Sequence, residues 1–478
     1  MNLNRVSGRR PDLMNVDRQI ELPDDVLLNI LDRLDTVDAV RTCIASKQTL
    51  RLLNMLSQIG IVLPAQKLVR KNGLVANLTN RILSTRSPQI PIRNLKLKFI
   101  MRGDDHLKIG RSVALAMATQ KVEAVEFQIL TNKCFHNYTR AATEKLCYAQ
   151  QFNDFIRKCP DAFGGLTGLH LQNMRFAESD ILNILSTCKR LESLRLILCD
   201  SGNHSVLQVQ HSQLVELDIT DGYFSKVELN YLPELQRMSY TRWHFLWNPL
   251  VLGFVPGLSN LRLANAYDAS EYTVKISQLL VNVPTISNLH LDFQCEKVWL
   301  HQESRKLLAP LLDKLRFVNL DNIPRKSGIT WTLSFIEAAP SLEELCITIS
   351  DHKCHTDSRQ DYSKKKDVKW EQSVADFEHK NLAKLTIHGF ESDDTFMRYV
   401  RSVMEVAVNI REVSLHDRKV CKLCSNICIP SRYPRTSEEE DIPVVSKRIT
   451  EALVTASPAV IKFRPSSYYS PLEIEYYT

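Results

Sequence analysis

Glycine is scarce, 14 residues in 478, and the glycine-built phosphate and nucleophile loops are missing. No Gly-x-x-x-x-Gly-Lys-Ser/Thr loop, no Gly-x-Ser-x-Gly elbow, no dinucleotide fingerprint and no His-Glu-x-x-His occurs. No catalytic residue and no cofactor are expected. Long apolar runs are missing too: nowhere do about 18 apolar residues follow one another, and the first residues, Met1 to Arg10, are polar and basic. The protein is therefore expected to be soluble and intracellular, in cytoplasm or nucleus, with no membrane partner. Charge of one sign hardly dominates. The 61 Lys+Arg against 54 Asp+Glu leave +7, spread along the chain, whereas nucleic-acid binders concentrate their excess on one face. No nucleic-acid partner is expected. The 12 Cys are scattered among apolar positions and fit reduced thiols better than a disulfide framework.

What the chain has in quantity is a spaced apolar pattern. An apolar-x-x-apolar-x-apolar unit recurs at Ile92/Leu95/Leu97, Val122/Val125/Phe127, Leu166/Leu169/Leu171, Leu191/Leu194/Leu196, Leu214/Leu217/Ile219 and Leu235/Met238/Tyr240. It continues at Leu258/Leu261/Leu263, Ile286/Leu289/Leu291, Leu315/Val318/Leu320, Leu342/Leu345/Ile347, Leu382/Leu385/Ile387 and Ile410/Val413/Leu415. Most intervals are about 21 to 30 residues, close to the period of leucine-rich repeats. The spacing predicts one strand per unit, with alternate side chains filling the interior and facing outward. Helical stretches such as Asp180 to Cys188, Val274 to Leu280 and Trp331 to Ile336 follow, predicting one strand and one helix per repeat. A unit of that size cannot bury its own apolar face, so neighbours must stack into a solenoid.

Ahead of the repeats, Val26, Leu27, Ile30, Leu31 and Leu34 recur at helical spacing after Pro23, with Asp24 and Asp25 placed against the positive helix N-terminus. Asp35 or Thr36 can cap a second helix carrying Val37, Val40 and Ile44. Two short helices leave more apolar surface than they can bury between themselves. Leu-Pro-x-x-apolar-apolar-x-x-Ile-Leu-x-x-Leu, running on to Ser46-Lys47, resembles an F-box, with Thr49 where that family commonly has an aromatic residue. The resemblance implies docking on the Skp-type adaptor of a cullin-based SCF ubiquitin ligase. Leu22, Pro23, Ile30, Leu31, Leu34, Val40 and Ser46 are the expected adaptor-binding residues.

The fold expected is α/β: a small all-α F-box hairpin, then an irregular leucine-rich-repeat solenoid with a curved parallel sheet and outer helices. Its expected divisions are a tail over 1–20, the F-box over 21–63, a helical junction over 64–91, repeats over 92–420 with an insertion near 351–380, and a cap over 421–478. With the Gly253-Phe254-Val255-Pro256-Gly257-Leu258 entry and a late Cys-x-x-Cys, the whole resembles the large plant F-box/leucine-rich-repeat group, especially its grass expansion.

Two candidate sites remain. Cys421, Cys424 and Cys428 with His416 have the ligand number of a structural zinc site, but no second Cys-x-x-Cys accompanies them, and no metal is expected. Outward strand positions carry mixed polar residues suited to a protein partner; of these Arg195, Arg237, Arg262 and His290 are the expected target-binding residues, unless the arginines simply pair with Asp218 and Glu216. The reading that follows is a non-enzymatic substrate receptor. It joins the adaptor, and through it a cullin, to an unidentified target protein. The alternatives are a repeat scaffold whose F-box has decayed and, third, a zinc hydrolase at His416.

Overall fold

In the computed structural model the described residues are 22–34, 52, 55–131, 138–202, 205–243, 249–265, 273–294, 298–350, 377–416, 420–421, 441–451, 453, 459–464 and 468–469. The first helix, α1, is Asp24–Leu31; Pro23 stands at its N-cap position and Asp24 and Asp25 fill its first turn. Strand β1 is Gln58–Ile61, followed by helix α2 (Ala65–Thr85), β2 (Ile92–Ile100), helix α3 (Asp105–Thr119) and β3 (Val122–Leu130). After helix α4 (Tyr138–Lys158) come β4 (Gly168–Gln172), helix α5 (Asp180–Thr187), β5 (Ser193–Ile197), β6 (Val206–Gln210), β7 (Glu216–Thr220) and β8 (Lys226–Tyr231). Strands β9 (Arg237–Trp243), β10 (Leu250–Phe254), β11 (Asn260–Asn265), β12 (Asn288–Asp292) and β13 (Phe317–Pro324) lead to helix α6 (Leu333–Ala338). The chain closes with β14 (Glu344–Ser350), β15 (Lys384–His388), helix α7 (Asp394–Val406), β16 (Glu412–His416), β17 (Val420–Cys421), helix α8 (Asp441–Thr450), β18 (Val460–Arg464) and β19 (Tyr468–Tyr469).

Among the described residues a 14-stranded sheet runs β1-β2-β3-β4-β5-β7-β9-β11-β12-β13-β14-β15-β16-β18, every pairing parallel. The apolar pairs predicted from spacing stack rung on rung: Leu95/Leu97 meets Val125/Phe127, then Leu169/Leu171, and the alignment holds to Val413/Leu415. Their side chains share one continuous core with those of the helices on that face, for example Ile181, Ile184 and Leu185 of α5. Each such leucine is worth about 1.5–3 kcal/mol of burial, so the core is a sum over rungs. The other face of the sheet carries the polar alternates.

The sheet passes both expected boundaries. Ile59/Ile61 adds a rung before residue 92 and Ile461/Phe463 one after residue 420. Leu56/Ile59/Ile61 has the repeat spacing but falls inside the expected F-box bounds of 21–63. The late rung has Pro458 where the leading apolar residue belongs.

A second departure lies between β5 and β11. There the connections are strands, β6, β8 and β10, which pair as a second parallel sheet in place of the expected helices. The intervals are short and the connecting segments alternate with period two, as in Val206-Leu207-Gln208-Val209-Gln210. A strand rises about 3.3 Å per residue against 1.5 Å in a helix, so it covers the back of the repeat with fewer residues. Gly253 in β10 lies where an added Cβ would meet the Leu229 carbonyl oxygen at 2.7 Å. Only a residue without a side chain permits that approach.

Candidate binding surfaces

On α1 the apolar residues divide by face. Leu31 is buried against Leu52 and Leu56, with Leu27 and Leu28 packed beside them. Val26 and Ile30, four residues apart on α1, stand in the open together with Leu22 before the helix and Leu34 after it, all 37 to 46% exposed. Leu31 therefore differs from expectation: it holds the helix to its own chain and offers no surface to a partner. Heptad-like spacing alone could not separate the two faces, because both carry leucine. Pro23 is exposed beside Leu22, whereas Val40 and Ser46 lie outside the described residues.

The helix is fastened to the solenoid at its C-cap. Asp32 accepts the Ser57 N–H at 3.0 Å, the Ser57 hydroxyl at 2.8 Å and the Gln58 N–H at 3.3 Å, so one carboxylate ties α1 to the start of β1. Nearby, burial lowers the affinity of Arg86 for its proton and the charge of Asp32 opposes that effect.

On the polar face of the sheet, equivalent side chains of adjacent strands sit about 4.8 Å apart. One row reads His170, Arg195, Asp218, Ser239, Arg262, His290 and Asn319 from β4 to β13. Arg195 Nε donates to Asp218 at 2.7 Å, and Arg237 in the neighbouring row meets Glu216 at 3.3 Å. These two arginines thus belong to cross-strand ion pairs, as the paired alternative expects. His290 lies 2.8 Å from an Asp321 carboxylate oxygen. Arg262 meets no carboxylate among the described residues, and its Nε, shielded from solvent, has no acceptor. His170 keeps its ring neutral: burial and the charges of Arg195, Lys98 and Lys96 pull its pKa to about 3. Farther along the same row, Thr386 and Ser414 are buried, so the expected open stripe ends before β15.

Two histidines that spacing did not single out do the same job in different repeats. His211 Nε2 contacts the Cys188 carbonyl at 3.0 Å while its Nδ1 accepts the Gln213 N–H at 3.1 Å. His379 Nε2 contacts the Ala339 carbonyl at 2.9 Å and its Nδ1 accepts the Leu382 N–H at 2.9 Å. Cys188 and Ala339 are the C-cap residues of α5 and α6, so each imidazole clamps a helix end to the turn that enters the next strand. A ring that donates at Nε2 and accepts at Nδ1 is neutral, and burial lowers both pKa values. The matching signal in the sequence is His-x-Gln/Asn-Leu, at His211-Ser212-Gln213-Leu214 and His379-Lys380-Asn381-Leu382.

His416 accepts or donates at 2.9 Å with the Ser414 hydroxyl, and its ring lies 4.3 Å from that of His388. Cys421 pairs through its backbone with Tyr469, and Cys424 and Cys428 lie outside the described residues. Among the described residues no three metal-ligating side chains converge. The thiols of Cys188 and Cys199 are pushed up to about 12 by burial, which leaves them protonated. No helix among the described residues is long and apolar enough to cross a membrane. Of the aromatic group in and after β9, Tyr240 and Trp243 are buried, Trp243 lying edge-on to Trp299 at 5.2 Å; Phe245 and Trp247 lie outside the described residues, as do 351–376 of the expected insertion.

A short helical module with open apolar side chains, followed by a parallel-sheet repeat array, defines an F-box/leucine-rich-repeat protein of the plant type. The F-box domain matches residues 20–58 and the leucine-rich-repeat domain of At1g61320/AtMIF1 matches residues 158–459, and the chain belongs to that repeat family. It is 26% identical over 223 residues, 44% of this chain, to the F-box/FBD/LRR-repeat protein At3g52680 of Arabidopsis thaliana. It is 27% identical over 191 residues, 39% of this chain, to the F-box protein At5g03100 of the same plant. The chain spans about half the length of the curated relatives it matches, 46% and 58% of these two.

Proposed function

We propose that this chain is the substrate-recognition subunit of an SCF-type ubiquitin ligase. In this reading Leu22, Pro23, Ile30 and Leu34 meet a Skp-type adaptor, joined by Val40 and Ser46, and the polar face of the sheet holds a target protein. The observation that carries it is that Val26 and Ile30 of α1, with Leu22 just before the helix and Leu34 just after it, are exposed while Leu31 on the helix's other side is packed. A short amphipathic helix with apolar side chains kept in water on and beside it matches the groove-binding mode by which such helices dock. The chain's own contribution is proximity: it raises the local concentration of a target lysine near a catalytic partner, and no residue of its own need do chemistry. Ubiquitin transfer then depends on the orientation between module and sheet, which the Asp32 contacts to Ser57 and Gln58 hold.

The test is co-expression of the full chain with a plant Skp-type adaptor. The wild type should co-purify with it, and I30D/L34D should not. An adaptor that binds a control F-box but not this chain removes the ligase reading and leaves the scaffold reading, which Thr49 in place of an aromatic residue allows.

A further inference from the structure

The polar face of the sheet is not uniform. Toward both ends its cations are neutralised across strands: Lys96 by Glu126 at 2.9 Å, Arg195 by Asp218, Arg237 by Glu216, Lys384 by Glu344 at 2.7 Å, and Lys462 by Glu412. Between them, on β11 to β13, Arg262 has no such partner among the described residues. The acids nearest to it are already satisfied. Asp218 takes Arg195 and the Thr220 hydroxyl. Asp321 takes His290 and the Thr348 hydroxyl, both at 2.8 Å. Asp292 takes the Gln294 N–H at 2.9 Å and the Asn322 amide at 2.9 Å. With no carboxylate partner among the described residues, and with the nearby acids held by other donors, the Arg262 guanidinium is free to offer its terminal Nη donors to an acceptor from outside the chain, while its shielded Nε stays out of that partner's reach.

One neighbour narrows what that acceptor belongs to. Two strands on, on β13, Phe317 is 38% exposed, an aromatic ring with the Arg316 guanidinium 5.4 Å from its centroid on an otherwise polar surface. From strand spacing and residue rise, Arg262 and Phe317 are separated by about 12 Å, which an extended peptide covers in about three or four residues.

The geometry points to a target-recognition subsite on β11–β13: Arg262 takes an anionic side chain of the target, and Phe317 receives an apolar residue three or four positions from the anion. This inference rests on the reading of the sheet face as the target-binding surface, and of the expected Arg195, Arg237, Arg262 and His290 it keeps Arg262. Carboxylate and phosphate share the chemistry, since a guanidinium grips either through paired N–H donors. Both belong here to a polypeptide: one cation with no carboxylate partner among the described residues, beside an aromatic ring and satisfied acids, is a poor match to a repeating polyanion.

The experiment uses the purified full chain and an oriented library of twelve-residue peptides, with Asp, Glu, phosphoserine, phosphotyrosine, Ala or Lys fixed at the sixth position and the rest randomised. The wild type should enrich the acidic or the phosphorylated arm over the Ala and Lys arms, with Phe, Leu or Met selected three or four residues away; which arm wins identifies the anion. For the selected peptide, R262A should weaken binding at least tenfold and R195A less than twofold. R262E should reverse the preference toward the Lys arm, an outcome that only a folded protein can produce. Equal enrichment of all arms, no capture of any arm, or an R262E chain with unchanged preference overturns the subsite. None of these results depends on the adaptor, so the ligase reading stands or falls separately in co-purification.

Discussion

The α1 module and the repeat array solve the same problem, too little core per unit, in opposite ways. The array stacks rung on rung until Leu31-sized contributions add up along one core from Ile59 to Ile449. The module has a cluster of Leu31, Leu52 and Leu56 among the described residues and leaves four apolar side chains in water. Redundancy distinguishes them. A rung lost from the array is buffered by neighbours on both sides, while the module depends on one small cluster and on Asp32. Exposed apolar side chains occur in both regions, Leu115, Val281 and Leu307 on the array among them, so what sets the module apart is that its exposed residues gather on and beside one short helix.

That comparison can be broken most forcefully in the array. Leu289→Ala deletes a buried rung residue flanked by Leu261 and Val318 and should cost about 2–5 kcal/mol, seen as a lower denaturant midpoint for the whole array. A loss confined to the local repeat, with distant amides still protected from hydrogen exchange, would show the array to be less cooperative than its continuous core implies.

Leu31→Ala should cost about 2–3 kcal/mol within the module while the midpoint of the array stays where it was, because Leu31 packs in a separate cluster. Hydrogen exchange resolved over α1 and β2 checks it; equal deprotection of both would join the two regions into one folding unit.

Acid sharpens the same contrast through the histidine clamps, which belong to the array. His211 and His379 have lowered pKa values in the folded chain, and His170 is lowered to about 3. The unfolded chain therefore takes up protons first: stability is full above the ordinary histidine pKa of 6.5 and is lost as pH falls below it, for His170 progressively toward about 3. Chemical denaturation at pH 7.5, 6 and 5 should show the decline, shallower in H211N/H379N than in the wild type. Parallel slopes would remove the clamps as its cause.

Arg195→Ala is the smallest change. The pair with Asp218 is about half-exposed on the arginine side, and its loss should cost about 0.2–1 kcal/mol with further weakening in salt. A cost well above that range would mean that cross-strand ion pairs, and not the rungs beneath them, hold the register of the sheet.

Much of this was readable before any coordinates. The twelve apolar units predicted from spacing all appear as stacked rungs, since a two-residue alternation plus a fixed lead-in leaves a strand few other ways to bury itself. α1 was readable from Pro23, the two aspartates and the leucine spacing. Less visible were β6, β8 and β10, where a short interval and not a distinct composition selects strand over helix. The outward arginines Arg195, Arg237 and Arg262 look alike in sequence, and only the neighbours across the sheet separate the two with carboxylate partners from the one without among the described residues, while Arg464, on a strand past the expected boundary, was not singled out.

Sequence by itself determined the architecture, because hydrophobic burial is set by which residue types recur at which period, a local property repeated along the chain. Tertiary structure alone decided which face of α1 is spent inside, turning Leu31 inward and leaving Ile30 outside, and which of Arg195, Arg237 and Arg262 has no carboxylate partner among the described residues. Those outcomes depend on residues 21 or more positions apart in the chain, such as Leu31 with Leu52 and Arg195 with Asp218, meeting across a few ångströms. Pairing at that range is a property of the packed chain, and no window of sequence contains it.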